Sequence, residues 1–207
     1  NGDGDSDITL TSFGTLTLSG MAGADSISAS AFGTALTLNG NEGNDSLTGG
    51  DAADTISGGL DNDTLVGGPG DDILAGDPGD DSITGGAGTN RVSYAGSAAG
   101  VRVDLGPGSA TGEGADSLAG IQNVTGSPQN DQLNGNQPDN DLQGGPGNDL
   151  ITGGLGDDIL AGGADTDTVD FSGAGKPIVA AINGTALGQG SDALSGFERL
   201  IGSKQKD

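Results

Sequence analysis

The sequence contains no cysteine, no histidine and no tryptophan among its 207 residues. Without cysteine there is no disulfide framework and no thiolate metal site. Without histidine or cysteine, neither a Ser-His-Asp nor a Cys-His catalytic arrangement can form. Zinc and copper lose their preferred ligands for the same reason. Aromatic residues make up 2% of the chain and hydrophobic residues 31%, too little for a conventional globular core. Basic residues are almost missing as well: 6 Lys+Arg stand against 30 Asp+Glu, for a net charge of −24. Such a chain repels phosphate backbones, so nucleic acid is not an expected partner. No basic amphipathic segment suits an anionic membrane surface. No apolar run approaches the roughly 18 residues of a spanning helix, so no membrane span is expected. The start, Asn1-Gly2-Asp3, shows neither an initiator Met nor a signal-peptide pattern and reads as a cut from something longer.

What is present is glycine, 44 copies of it, and a period. Composition alone fits either a disordered acidic chain or one whose folding waits for cations. Spacing separates the two. An aliphatic residue recurs every nine positions at Leu47, Ile56, Leu65, Leu74, Ile83 and Val92, and again at Leu133, Leu142, Ile151, Leu160 and Val169. Two residues before each lies an acid or its amide, with Gly pairs further upstream. The unit is G-G-x-G-x-D-x-U-x, with U aliphatic. Gly67-Gly68-Pro69-Gly70-Asp71-Asp72-Ile73-Leu74-Ala75 fits it fully. Glycine, Asn and Asp in the first six positions make tight turns. The last three positions suit a short strand with only the eighth side chain inward. Two units close one coil, and coils stack at about 4.8 Å.

Stacking places every second turn on one edge. Asp45, Asp63 and Asp81 share an edge, opposite Asp54, Asp72 and Asn90; Asp131, Asp149 and Asp167 share another, opposite Asn140 and Asp158. Carboxylates in such a column repel unless a cation intervenes. Calcium takes 6–8 oxygen ligands in flexible geometry, whereas magnesium demands a tighter octahedron. Calcium, in several copies, is therefore the expected cofactor.

These nonapeptides resemble the RTX repeats of bacterial proteins exported by type I secretion. The resemblance implies an all-β, right-handed parallel β-roll (a β-solenoid) with calcium in the turns, held by sixth-position Asp carboxylates and by carbonyls of the glycine turns. It implies the acidic ligands Asp45, Asp54, Asp63, Asp72, Asp81, Asp131, Asp149, Asp158 and Asp167. The implied carbonyl donors are Gly43, Gly58, Gly67, Gly68, Gly70, Gly76, Gly144, Gly145, Gly147, Gly153 and Gly162. Asn90 and Asn140 replace the acid with a neutral amide, which weakens or empties their sites. Ala52, Asp61, Gln129 and Asp165 replace the fourth-position Gly, Asp61 and Asp165 being the milder changes. The fifth-position residues Asn44, Asn62, Asp71, Asp80, Asn148 and Asp157 are assigned a turn or solvated role.

Outside the nonapeptides the chain repeats on a longer scale. Ile8 to Leu18 is echoed by Ile27 to Leu38, predicting alternating strands, with calcium at Asp25 and Asp45 on one edge and metal-free turns at Phe13-Gly14 and Phe32-Gly33 on the other. Ser6 stands where unit one needs Asp, so no site is expected there. Val92 to Asp131 is duplicated by Val169 to Asp207, each copy with an aliphatic strand (Val101–Leu105; Ile178–Ile182) and a turn ending at Asp116 or Asp192, both further candidate ligands. The expected organisation is a first RTX block over 1–93 (variant longer repeats over 1–39), a capping segment over 94–125, a second block over 126–170 and a second, truncated capping segment over 171–207. The function this implies is a calcium-dependent folding or structural module of a secreted, extracellular or cell-surface protein, and not an enzyme. A self-assembling surface-layer, adhesin or fibre subunit is the alternative, with self-association or a cell-surface partner. Two acids could in principle form a glycosidase pair, but the repeat already accounts for them.

Overall fold

The computed structural model describes residues 16–206. The Phe13-Gly14 turn, Ser6 and Asp207 lie outside that range. Among the described residues every element is a β-strand, and none is a helix able to cross a membrane. The described residues divide into two compact units, residues 16–93 with 113–121, and residues 94–112 with 122–206.

In the first unit, short strands alternate between two sheets. One sheet orders Leu16–Ser19, Leu36–Glu42, Thr55–Leu60, Ile73–Ala75 and Arg91–Ser93. The other orders Ser26–Ser28, Ser46–Thr48, Thr64–Pro69, Ser82–Ala87 and Ala115–Ala119. The pairing is parallel, with Leu38 beside Ile56, Ile56 beside Leu74 and Leu65 beside Ile83, a step of two nonapeptides. The first coil is longer: Leu18 pairs with Leu38 and Ile27 with Leu47, a step of twenty. This is the parallel β-solenoid that the nine-residue period requires.

The second unit repeats the pattern. Leu142 pairs with Leu160 on one sheet, and Leu133 with Ile151 on the other. Here the flanking segments add antiparallel pairs to the parallel coil. Arg102–Asp104 runs antiparallel to Ser109–Thr111, and Val179–Ala180 antiparallel to Thr185–Leu187, which itself runs antiparallel to Ser191–Ser195. The reason is loop length. A parallel partner needs a long crossover, whereas a four-residue connection closed by Gly108 N–H donating to the Asp104 carbonyl (3.0 Å) folds the chain straight back. Asp116 and Asp192, expected at turn ends, lie inside the strands Ala115–Ala119 and Ser191–Ser195. The large duplication is visible in detail: Ser97 N–H donates to the Tyr94 carbonyl and Ala174 N–H to the Phe171 carbonyl, both at 2.9 Å. The scarce aromatics Tyr94, Phe171 and Phe197 are buried in these flanks.

The core is the column of eighth-position side chains. Leu38, Leu47, Ile56, Leu65, Leu74 and Ile83 are buried in the first unit, and Leu133, Leu142, Ile151 and Leu160 in the second. The seventh and ninth positions face out, as in the pattern exposed–buried–half-buried of Ile73–Ala75. Each column is one side chain wide, so a deleted side chain has few neighbours to refill its space. Leu65→Ala is expected to lower stability by about 2–5 kcal/mol, whereas Ile73→Ala, at 44% exposed, is expected to change it by roughly 0.5 kcal/mol or less. Urea unfolding of the calcium-loaded protein measures both.

Candidate metal sites in the turns

The candidate sites are built by the sixth position of each unit. Its side chain is carried at the entry to a strand, where the backbone turns inward, so the sixth-position acids are buried: Asp45, Asp54, Asp63, Asp72, Asp81, Asp131, Asp149, Asp158 and Asp167 all count among the buried polar residues, with Asp116 and Asp192. One carboxylate oxygen is used within the fold. Asp45 N–H donates to Asp63 Oδ1 (2.7 Å), Asp63 N–H to Asp81 Oδ1 (2.8 Å) and Asp81 N–H to Asp116 Oδ1 (3.2 Å). The opposite edge does the same from Leu36 through Asp54 and Asp72 to Asn90. In the second unit the ladder runs from Val101 through Asp131 and Asp149 to Asp167, and from Asn140 through Asp158 to Asp192. The next N–H in line, that of Asp167, is taken by Glu198 Oε2 (2.9 Å), a residue the nine-residue rule does not flag.

The second oxygen divides the acids into two groups. Oδ2 of Asp45, Asp63, Asp72, Asp81, Asp149, Asp158 and Asp167 is buried with no hydrogen-bond partner. Leaving a charged oxygen in that state costs several kcal/mol. By contrast, Oδ2 of Asp25, Asp54 and Asp131 accepts the N–H of Met21 (2.9 Å), Gly50 (2.6 Å) and Ser127 (2.6 Å).

The first-position glycines sit under these orphan oxygens. A Cβ on Gly58 would meet both Asp63 Oδ2 and the Gly76 carbonyl oxygen. One on Gly67 would meet Asp72 Oδ2 and the Gly85 carbonyl, and one on Gly144 would meet Asp149 Oδ2 and the Gly162 carbonyl. Gly76, Gly153 and Gly162 likewise face the Oδ2 of Asp81, Asp158 and Asp167. An anionic oxygen and a carbonyl oxygen from the next coil thus converge on a space that only glycine leaves clear. The second- and fourth-position glycines serve differently. Gly68 and Gly145 have φ of +111° and +108°, and Gly43, Gly70 and Gly147 have +118°, +137° and +126°, conformations that L side chains resist. Asp61 (φ +76°) and Asp165 (φ +81°) reach the left-handed region at the fourth position, as a short polar residue can.

Asn90 tests what the convergent oxygens require. Its Nδ2 donates to the Gly120 carbonyl (3.0 Å) and the Gly86 carbonyl (3.4 Å). Where the acid is replaced by an amide, N–H groups meet the carbonyls; at the seven acids with an orphan Oδ2, no hydrogen-bond donor among the described residues meets that oxygen. Asn140 Nδ2 likewise donates to the Gln122 carbonyl (2.7 Å). Among the described residues no three acidic side chains gather at one point. Each position therefore offers one carboxylate plus backbone carbonyls, an oxygen-only set that suits a hard cation such as calcium.

Electrostatics agree with this reading. Burial, reinforced by neighbouring acids, pushes the Asp63 carboxyl up to about 6 and those of Asp81, Asp149 and Asp158 to about 7 from an ordinary 3.8. Asp45, Asp72, Asp131, Asp167 and Asp192 are raised too, again chiefly by burial.

Residues 37–65, 66–96 and 139–169 each match the model of the RTX calcium-binding nonapeptide repeat. This chain carries RTX repeats. The cofactor of such repeats is calcium, in several copies, and the orphan carboxylate oxygens fit it. The matched stretches contain the seven acids that have an unpartnered Oδ2 among the described residues. No curated protein matches the chain significantly.

The fifth position of the RTX unit has a part that its spacing does not reveal. Its side chains form a second ladder of opposite direction. Asn62 N–H donates to Asn44 Oδ1 (2.9 Å), Asp80 N–H to Asn62 Oδ1 (2.9 Å) and Thr89 N–H to Asp71 Oδ1 (2.7 Å). Asn148 and Asp157 accept in the same way from Thr166 and Ser191. These exposed side chains join coil to coil, more than the local turn role their composition suggested.

Proposed function

We propose that the chain is a calcium-triggered folding module of a secreted bacterial protein, and that it performs no chemistry itself. The unpartnered Oδ2 atoms of Asp63, Asp81, Asp149 and Asp158 carry this reading. A fold that buries anionic oxygens with nothing opposite them is stable only when a cation completes it. The ligands are those carboxylates together with Asp45, Asp72 and Asp167 and the carbonyls that converge on them. In low calcium the chain stays extended and self-repelling, a state suited to a narrow export channel. Outside the cell, calcium binds the coiled form alone and draws the chain into it by mass action. Localisation outside the cell follows from the calcium level such modules require, about 10⁻⁴–10⁻³ M. Isothermal titration of the chain is expected to show several calcium ions binding with midpoints in that range, coupled to β-sheet formation, and little response to magnesium. Equal folding by magnesium would remove the case for calcium. Calcium uptake without any gain of β structure would remove the case for a folding trigger.

A further inference from the structure

The sixth-position acids of the nonapeptide turns are not equivalent, and what separates them is the backbone two positions into the turn. In the first unit the acids with an orphan Oδ2 follow Asn41, Gly59, Gly68 and Asp77 at the second position, with φ of +84°, +110°, +111° and +64°. In the second unit they follow Gly145, Gly154 and Gly163, with φ of +108°, +108° and +123°. In the turns of Asp25, Asp54 and Asp131 the second residue (Met21, Gly50 or Ser127) has no positive φ, and its N–H donates to Oδ2. Asn140 repeats that arrangement, accepting from Asn136 N–H at 2.8 Å. Fourth-position identity does not make the same division. Asp25 has Gly23 at φ +109° and is still closed, whereas the turn of Asp63, with Asp61 in that place, is open.

We infer that the peptide entering the second position is the selector for calcium: a positive φ there opens the turn to an ion, and any other conformation closes it with the chain's own N–H. The proposal rests on the calcium reading above and deepens it. In an open turn the N–H is turned away from the acid; that of Gly59 donates to the Gly76 carbonyl of the next coil (3.2 Å). Oδ2 is then bare. In a closed turn an N–H hydrogen occupies the approach to Oδ2, so the carboxylate is satisfied and an arriving cation meets a positive dipole. Glycine at position two is not sufficient. A Cβ on Gly50 would strike the Phe32 carbonyl, and Asp51 N–H donates to that carbonyl (2.7 Å), so the metal-free turn of the preceding coil holds Gly50 in the closed form. Ser127 closes its turn twice, its Oγ also donating to Asp131 Oδ1 (2.7 Å).

The test is the number of calcium ions bound by the full chain, measured by equilibrium dialysis with atomic emission. Four variants suffice for the acids: Asp63→Asn and Asp149→Asn in open turns, Asp54→Asn and Asp131→Asn in closed ones. Asparagine already stands at this position in Asn90 and Asn140, so the fold accepts it. Each open-turn variant is expected to bind one ion fewer than wild type, and each closed-turn variant the same number. Gly145→Ser, which leaves every acid in place and copies Ser127 eighteen residues earlier in the same column, is expected to lose one ion. Loss of an ion from Asp54→Asn or Asp131→Asn, or a full complement in Gly145→Ser, would overturn the selection rule while leaving calcium-driven folding intact. A wild-type chain that binds no calcium would overturn the proposed function itself.

Discussion

Stripping calcium from the folded protein is expected to abolish its β-sheet circular dichroism and its cooperative thermal transition at neutral pH. The magnitudes make this the largest effect available. Among the described residues seven carboxylate oxygens are buried without a partner, and an uncompensated buried charge costs several kcal/mol. A domain of this size has a total stability of only about 5–15 kcal/mol. The aliphatic columns cannot offset such a penalty, because each nonapeptide adds a single aliphatic side chain to the core and the chain is 31% hydrophobic. The net charge of −24 adds repulsion across the whole molecule. Calcium that binds the coiled form and not the unfolded chain stabilises in proportion to the logarithm of its concentration for each site. Far-UV circular dichroism in excess chelator checks the outcome. A β spectrum and melting temperature unchanged by chelation would show that the coil is held by its side chains and backbone alone.

Acid is expected to restore part of what calcium removal destroys. Protons are the other cations able to neutralise a buried carboxylate. Burial raises Asp63 to about 6 and Asp81, Asp149 and Asp158 to about 7, against 3.8 for the ordinary side chain. Between about pH 4 and pH 7 the folded form therefore binds more protons than the unfolded chain. Stability that depends on more protons in the folded state falls as pH rises. For these groups it is fully present below the unfolded value and lost on passing the folded one. Calcium-stripped protein should thus gain β structure as pH is lowered from 8 towards 4. With calcium present the sign reverses for binding: protons compete for the same oxygens, so the calcium midpoint should rise as pH drops below about 7, and ion binding near neutrality should release protons. A pH series of calcium titrations measures both. Steady loss of β signal from the stripped protein on acidification would contradict the burial of these acids.

Much of this was legible from spacing. The nine-residue step places Leu47, Ile56 and Leu65 in the core because each strand alternates its side chains and its second residue is the aliphatic one that faces inward. The same step stacks Asp45, Asp63 and Asp81 in one column, since two units make one coil. The flanks were less legible. Val101–Leu105 reads correctly as a strand region, yet nothing in its composition says that Arg102–Asp104 folds back on Ser109–Thr111. Strand direction depends on the path of the connecting loop, not on the residues paired. The Gly-x-Gly-x-Asp pattern marks Asp116 and Asp192 as candidate ligands, but it does not show them as strand residues that receive the ladders of Asp81 and Asp158 from 35 and 34 residues away.

The sequence by itself determined the parallel coil, the inward aliphatic column, the acidic edges and the identity of the cation, because each follows from period and residue chemistry. Only the tertiary structure decided which acids are left bare. Asp54 and Asp72 hold the same position on the same edge, each behind a Gly pair, yet Gly50 N–H reaches Oδ2 of the first while Oδ2 of the second has no partner. That difference lies in a backbone dihedral set by the coil beneath. A contact between coils is a property of the stack, and no single nonapeptide contains it.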